Sequence, residues 1–147
     1  MKKKVLSVIG TCCCLALIAA ASVHAQLPGT ELRANIPFDF SVRGKMFPAG
    51  EYVIKRFSDA PDGLMISGVN NRHYEMFETE SVEARKAPNR GEIIFHRYGN
   101  SYFLSEIFAG GEQTGRELQV SRQERILKRE IASNKAAQSE TVAVAVY

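Results

Sequence analysis

Three histidines occur in the 147-residue chain, and the two beyond its apolar leader are His73 and His96. His73 stands two residues before Glu75, on the same face of an extended segment, and that pair alone has the character of metal ligands. A zinc site needs about four ligands, and no thiolate is at hand to complete one here. His96 and Ser105 fall on neighbouring strands of a hairpin, half of the relay that activates a serine nucleophile. No Gly-x-Ser-x-Gly elbow is present and no Ser–His–Asp grouping stands out by spacing, so Ser105 reads as a strand residue facing its partner. Glu78 and Glu80 are the best-placed carboxylates for acid–base work. Two acids on one face of an exposed strand are normally solvated, and catalysis would need burial to raise one of them. Gly44-Lys45 lacks the first glycine and the Ser/Thr of a phosphate loop. The expectation is therefore a chain with no catalytic, cofactor-binding or metal residues, and not an enzyme.

Cations gather in two places. Arg122, Arg125, Lys128 and Arg129 make one late helix basic, and Arg85, Lys86 and Arg90 do the same for a polar connection. A nucleic-acid reading would use them as phosphate contacts. The charge balance argues against it. The formal net charge of +3 rests on Lys2, Lys3 and Lys4, and the rest of the chain carries 16 Lys and Arg against 16 Asp and Glu. An envelope protein or an anionic polymer or head group is the better partner, with no nucleic acid.

Met1 to Ala25 has the three parts of a secretory signal. Three lysines are followed by an apolar stretch from Val5 to Ala21, and Val23-His24-Ala25 ends it on a small residue. Cleavage is expected after Ala25, with a cut after Ala21 as the alternative, and the membrane contacts the chain only through this segment before cleavage. All three cysteines, Cys12 to Cys14, lie inside it. The mature chain then has no thiol nucleophile, disulfide framework or Cys-ligated metal. Its address is the periplasm or the medium.

The elements that would position these residues are mostly strands. Ile36, Phe38, Phe40 and Val42 alternate with Pro37, Asp39, Ser41 and Arg43, which predicts one strand with Phe38 and Phe40 buried and Asp39 outward. Turns follow at Gly44-Lys45 and Pro48-Ala49-Gly50. Glu51 to Phe57, Leu64 to Val69 and His73 to Thr79 read as strands, the first two separated by a turn cluster at Asp59 to Gly63. Ser81 to Gly91 reads as a long connection and Gly110 to Gly115 as a flexible loop.

Glu92 to Tyr98 and Ser101 to Ala109 form a hairpin about Gly99-Asn100, a two-residue turn of type I′ or II′. That turn fixes a register: Tyr98 with Ser101, Arg97 with Tyr102, His96 with Phe103, Phe95 with Leu104 and Ile94 with Ser105. Phe95 and Leu104 become a core pair, Arg97 lies over Tyr102, and His96 is a packed histidine rather than a base. Ser121 and Glu124 make a capping box that starts a helix over residues 121–132, resting Ile126, Leu127 and Ile131 on the sheet. Glu124 and Lys128 are favourably oriented at i, i+4. Residues 133–147 form a polar tail in which Thr141 to Tyr147 alternates and could add a last strand. The domain organisation is a signal peptide (1–25), a β-domain with its helix (26–132) and this tail. The fold class is mainly β, a small antiparallel sandwich or barrel of six to seven strands with one late α-helix.

Three stretches carry a resemblance. They are Asn35-Ile36-Pro37-Phe38-Asp39-Phe40 with Gly44-Lys45 and Pro48-Ala49-Gly50-Glu51-Tyr52; Phe95-His96-Arg97-Tyr98-Gly99 with Tyr102-Phe103-Leu104-Ser105; and Gly115-Arg116-Glu117-Leu118 with Ser121-Arg122 and Glu124-Arg125. Over residues 32–130 the chain resembles a family of small exported bacterial proteins, abundant in soil-type lineages and without an assigned activity. The resemblance implies one compact β-domain and transfers no site residue. An exported, non-enzymatic binding or envelope-associated structural module is the expected function. A small outer-membrane barrel, suggested by Tyr147 after an alternating segment, and a secreted enzyme are the alternatives. Membrane barrel strands need about 9–11 residues, more than most strands here supply.

Overall fold

Apolar residues at every second position bury one face of β1 (Leu32–Ile36), where Ala34 and Ile36 are fully enclosed. The computed structural model describes residues 31–57, 62–133 and 139–147. The expected signal peptide (1–25), the centre of the expected turn cluster after Phe57 and the start of the expected polar tail lie outside them. Pro37 ends β1, and the chain resumes as β2 (Phe40–Val42) rather than continuing as one strand. Phe40 is fully buried as expected, but Phe38 lies in the break between strands and is only half-buried. Its ring stacks on Tyr102 at 3.9 Å and meets Phe95 edge-on at 5.2 Å. Asp39 points outward, where Oδ1 accepts the Ala49 N–H at 2.8 Å.

The hairpin to β3 (Lys45–Phe47) turns one residue earlier than expected, on Arg43 and Gly44, whose φ values of 52° and 91° suit a type I′ turn. β4 (Gly50–Arg56), β5 (Gly63–Gly68) and β6 (Tyr74–Glu78) follow as an antiparallel meander. With β1 they form a four-stranded sheet in the order β1-β4-β5-β6.

Thr79 carries the chain into the second sheet, its N–H and hydroxyl both donating to the Asp62 carbonyl. β7 (Glu80–Glu83), β8 (Glu92–Tyr98), β9 (Ser101–Phe108), β10 (Thr114–Glu117) and β11 (Ser139–Ala145) are ordered β11-β8-β9-β10-β7, with β2 and β3 attached through β9. Helix α1 (Arg122–Ser133) precedes β11. Eleven strands among the described residues replace the six or seven expected. The additions include β7, three of whose four residues fall in the expected connection, and β10, which starts in the expected loop and runs past Gly115. β11 pairs along its whole length with β8, giving the tail its last strand.

The two sheets lie face to face. Ile36, Tyr52, Ile54 and Ile66 from one meet Phe40, Ile93, Phe95 and Leu104 from the other. Burying each such side chain contributes about 1.5–3 kcal/mol by area. At one margin the backbones of Arg33 and Tyr147 exchange two hydrogen bonds, yet the sheets do not close into a barrel. The fold is mainly β and sandwich-like, with one helix late in the chain.

Candidate functional site

The β8–β9 hairpin turns on Gly99 and Asn100, and Tyr98↔Ser101, Arg97↔Tyr102, His96↔Phe103 and Phe95↔Leu104 are the observed pairs. The Arg97 guanidinium lies 5.4 Å from the centre of the Tyr102 ring. The next expected pair fails: Ile94 faces Glu106, and the register slips between Ile94 and Phe95. Ser105 is thus the extra residue of a β-bulge. Core burial shows the same shift, because Leu104 and Ile107 both face the core at a spacing of three. The cause is a change of neighbour. Phe103 pairs with β2, Glu106 and Ile107 pair with β10, and between them the Ser105 carbonyl accepts the Leu118 N–H at 2.8 Å.

The bulge aims Ser105 at His96. Ser105 Oγ lies 3.2 Å from His96 Nε2, and His96 Nδ1 lies 2.8 Å from Glu124 Oε1. Tyr98 O–H donates to the same carboxylate oxygen at 3.4 Å. Glu124 comes from the first turn of α1. Its N–H donates to Ser121 Oγ at 3.1 Å, so the serine half of the capping box forms. Its side chain turns into the sheet toward His96 and Tyr98. Glu124 is the only buried residue of the helix, and Ile126, expected on the sheet, is 47% exposed.

Electrostatics follow the geometry. The bond to Glu124 holds the His96 imidazole charged to higher pH than an ordinary histidine, with partial burial opposing it. Glu106 on β9 adds to the rise and Lys128 on α1 works against it. Burial, reinforced by the Glu124 charge, pushes the Tyr98 phenol up. A carboxylate on Nδ1 and a serine on Nε2 is the connectivity that lets an imidazole take a proton from a hydroxyl. Room for a substrate is another matter. Ser105 is 4% exposed and Glu124 also 4%, leaving only the His96 imidazole, 31% exposed, open to solvent.

The remaining candidates do not converge. His73 is exposed and bonds Asn71 Oδ1 through Nδ1, while Glu75 pairs with Lys45 at 3.3 Å. Glu78 ends β6 and Glu80 begins β7, so the two acids belong to different sheets. Glu80 accepts from Gln119 at 3.0 Å. Among the described residues no three His, Cys, Asp or Glu side chains come together as a metal site. Arg122, Arg125, Lys128 and Arg129 are exposed along α1, and Arg85, Lys86 and Arg90 along the connection after β7. A cavity of about 620 Å³ lies beside that connection, lined by residues 86–92 with Ala143 and Ala145 of β11.

Sequence reasoning put His96 and Ser105 on neighbouring strands but set Ser105 opposite Ile94, and it missed Glu124 as the partner of His96. The signal was present: Glu124, Leu127 and Ile131 share one helix face by their spacing of three and four, which puts an acid in the docking stripe. Compared with protein-family models, with curated proteins and with solved structures, the chain finds no match.

Proposed function

We propose that the chain is an exported, non-enzymatic β-domain acting as an extracytoplasmic binding or envelope-associated structural module. The observation that carries this reading is the closure of the array: Ser105, the only serine set against a histidine–carboxylate pair among the described residues, is 4% exposed. In that setting the three side chains act as a polar pin holding α1 on the second sheet. The lysine-rich, apolar start of the sequence supports export. Among the described residues no helix is long and apolar enough to cross a membrane.

Fractionation of cells expressing the full chain tests the reading. The expected product starts at Gln26 and is found in the periplasm, in the medium, or on the envelope in salt-extractable form. An uncleaved chain in the cytoplasm, or one released only by detergent, contradicts it.

A second reading, a secreted serine hydrolase, is favoured by one observation. Both imidazole nitrogens carry the partners a nucleophile relay requires. It needs an approach to Ser105 that the 4% exposure does not offer.

A further inference from the structure

Burial of Glu124 fixes which way the helix faces. Residues 122, 125, 126 and 129 recur at the three- and four-residue spacing of a single helix face, opposite the face of Glu124, Leu127 and Ile131. Arg122, Arg125 and Arg129 are therefore turned away from the sheet, all exposed, in a row about 10 Å long. None of the three forms an ion pair among the described residues. The charge of Glu124 is met by His96 and Tyr98 below the helix, so it does not offset them.

A second basic segment shares this side of the sheet. Antiparallel partners point to the same face, and Thr141, Ala143 and Ala145 are paired with His96, Ile94 and Glu92. Ala143 and Ala145 line the cavity below the connection that carries exposed Lys86 and Arg90. Helix and connection thus flank one face of a molecule whose mature chain has no net charge.

We propose that this face binds a linear extracytoplasmic polyanion, a chain of closely repeated carboxylate or phosphate groups, with Arg122, Arg125 and Arg129 as its principal contacts. The inference rests on the binding-module reading above and names its partner. Charge complementarity selects the ligand, since planar guanidinium groups grip two oxygens of a carboxylate or phosphate in paired hydrogen bonds. A lipid surface fits less well. Interfacial helices present a broad apolar face, and here Leu127 and Ile131 are turned inward and only Ile126 points out.

The test measures binding of fluorescent polygalacturonate to the mature protein over a salt series. Expected are measurable affinity at low salt, a linear fall of log K with log salt, and a slope reduced by about 1 for each arginine replaced by glutamine. The triple variant Arg122→Gln/Arg125→Gln/Arg129→Gln should lose binding, while Lys55→Gln, at an exposed site on the other sheet, should bind as the parent does. Circular dichroism on each variant keeps loss of fold distinct from loss of contact. Equal binding by the triple variant, no binding by the parent, or binding to anionic phospholipid vesicles without binding to the soluble polymer overturns the inference. If the polymer fails while the protein still fractionates with the envelope, the stripe is refuted and the module reading stands.

Discussion

Gly99 turns the β8–β9 hairpin with a φ of 63°, and nothing lies within 4 Å of where its side chain would be. Substitution there meets no clash, only the cost of positive φ, about 1–2 kcal/mol for a side-chain-bearing residue. Gly99→Val should lower stability by at least that much, since β-branched residues fit positive φ worst, and urea unfolding at neutral pH measures it. A parent-like midpoint would mean that the turn does not set the register. Four cross-strand pairs were legible in the sequence because a two-residue turn leaves one way to count. The fifth was not, because Ser105 carries no mark of a bulge. The bulge comes from β9 exchanging β2 for β10 as its neighbour, a tertiary event with no local signal. The same slip separates a serine that merely faces Ile94 from one that reaches His96.

Helix α1 shows how a local motif is diverted by what lies beneath it. Ser121 and Glu124 mark its start correctly, but the carboxylate serves the sheet instead of returning to the cap. Apolar contact is thin, so the Glu124–His96 bond matters disproportionately to docking. Hydrogen bonds to charged groups contribute about 1.5–3 kcal/mol each. His96 is held above its ordinary value of 6.5 in the folded protein. Its contribution is therefore complete below about pH 6.5 and declines as pH rises through the higher folded value. Urea midpoints should fall between pH 6 and pH 9 in the parent, and this fall should be much smaller in His96→Gln. Identical pH dependence in the two proteins would show that His96 is not the group concerned. The groups facing it are Glu124 and Lys128 from the helix, Glu106 and Ser105 from β9, and Tyr98 and Thr141 from β8 and β11.

At the level of the whole molecule, the class of fold was readable from period-two alternation, and its strand count was not. β7 and β10 read Glu-Ser-Val-Glu and Thr-Gly-Arg-Glu, with no apolar alternation. β7 is an edge strand specified by backbone pairing, with acids at both ends that discourage further pairing. β10 contains Gly115 because the Phe108 ring occupies the space of a side chain, 2.4 Å from the position of its Cβ. The choice between sandwich and barrel depends on margins that sequence does not mark, and here the sheets stay open. The central claim is that Ser105, His96 and Glu124 hold a helix in place and do no chemistry. Intact mass after incubation with a small fluorophosphonate tests it, because an activated serine would displace fluoride and pass its proton to the imidazole. The mature protein should keep its mass at neutral and mildly alkaline pH. A single phosphonyl adduct on Ser105, lost in Ser105→Ala and in His96→Gln, would contradict the claim and make the array a catalytic relay.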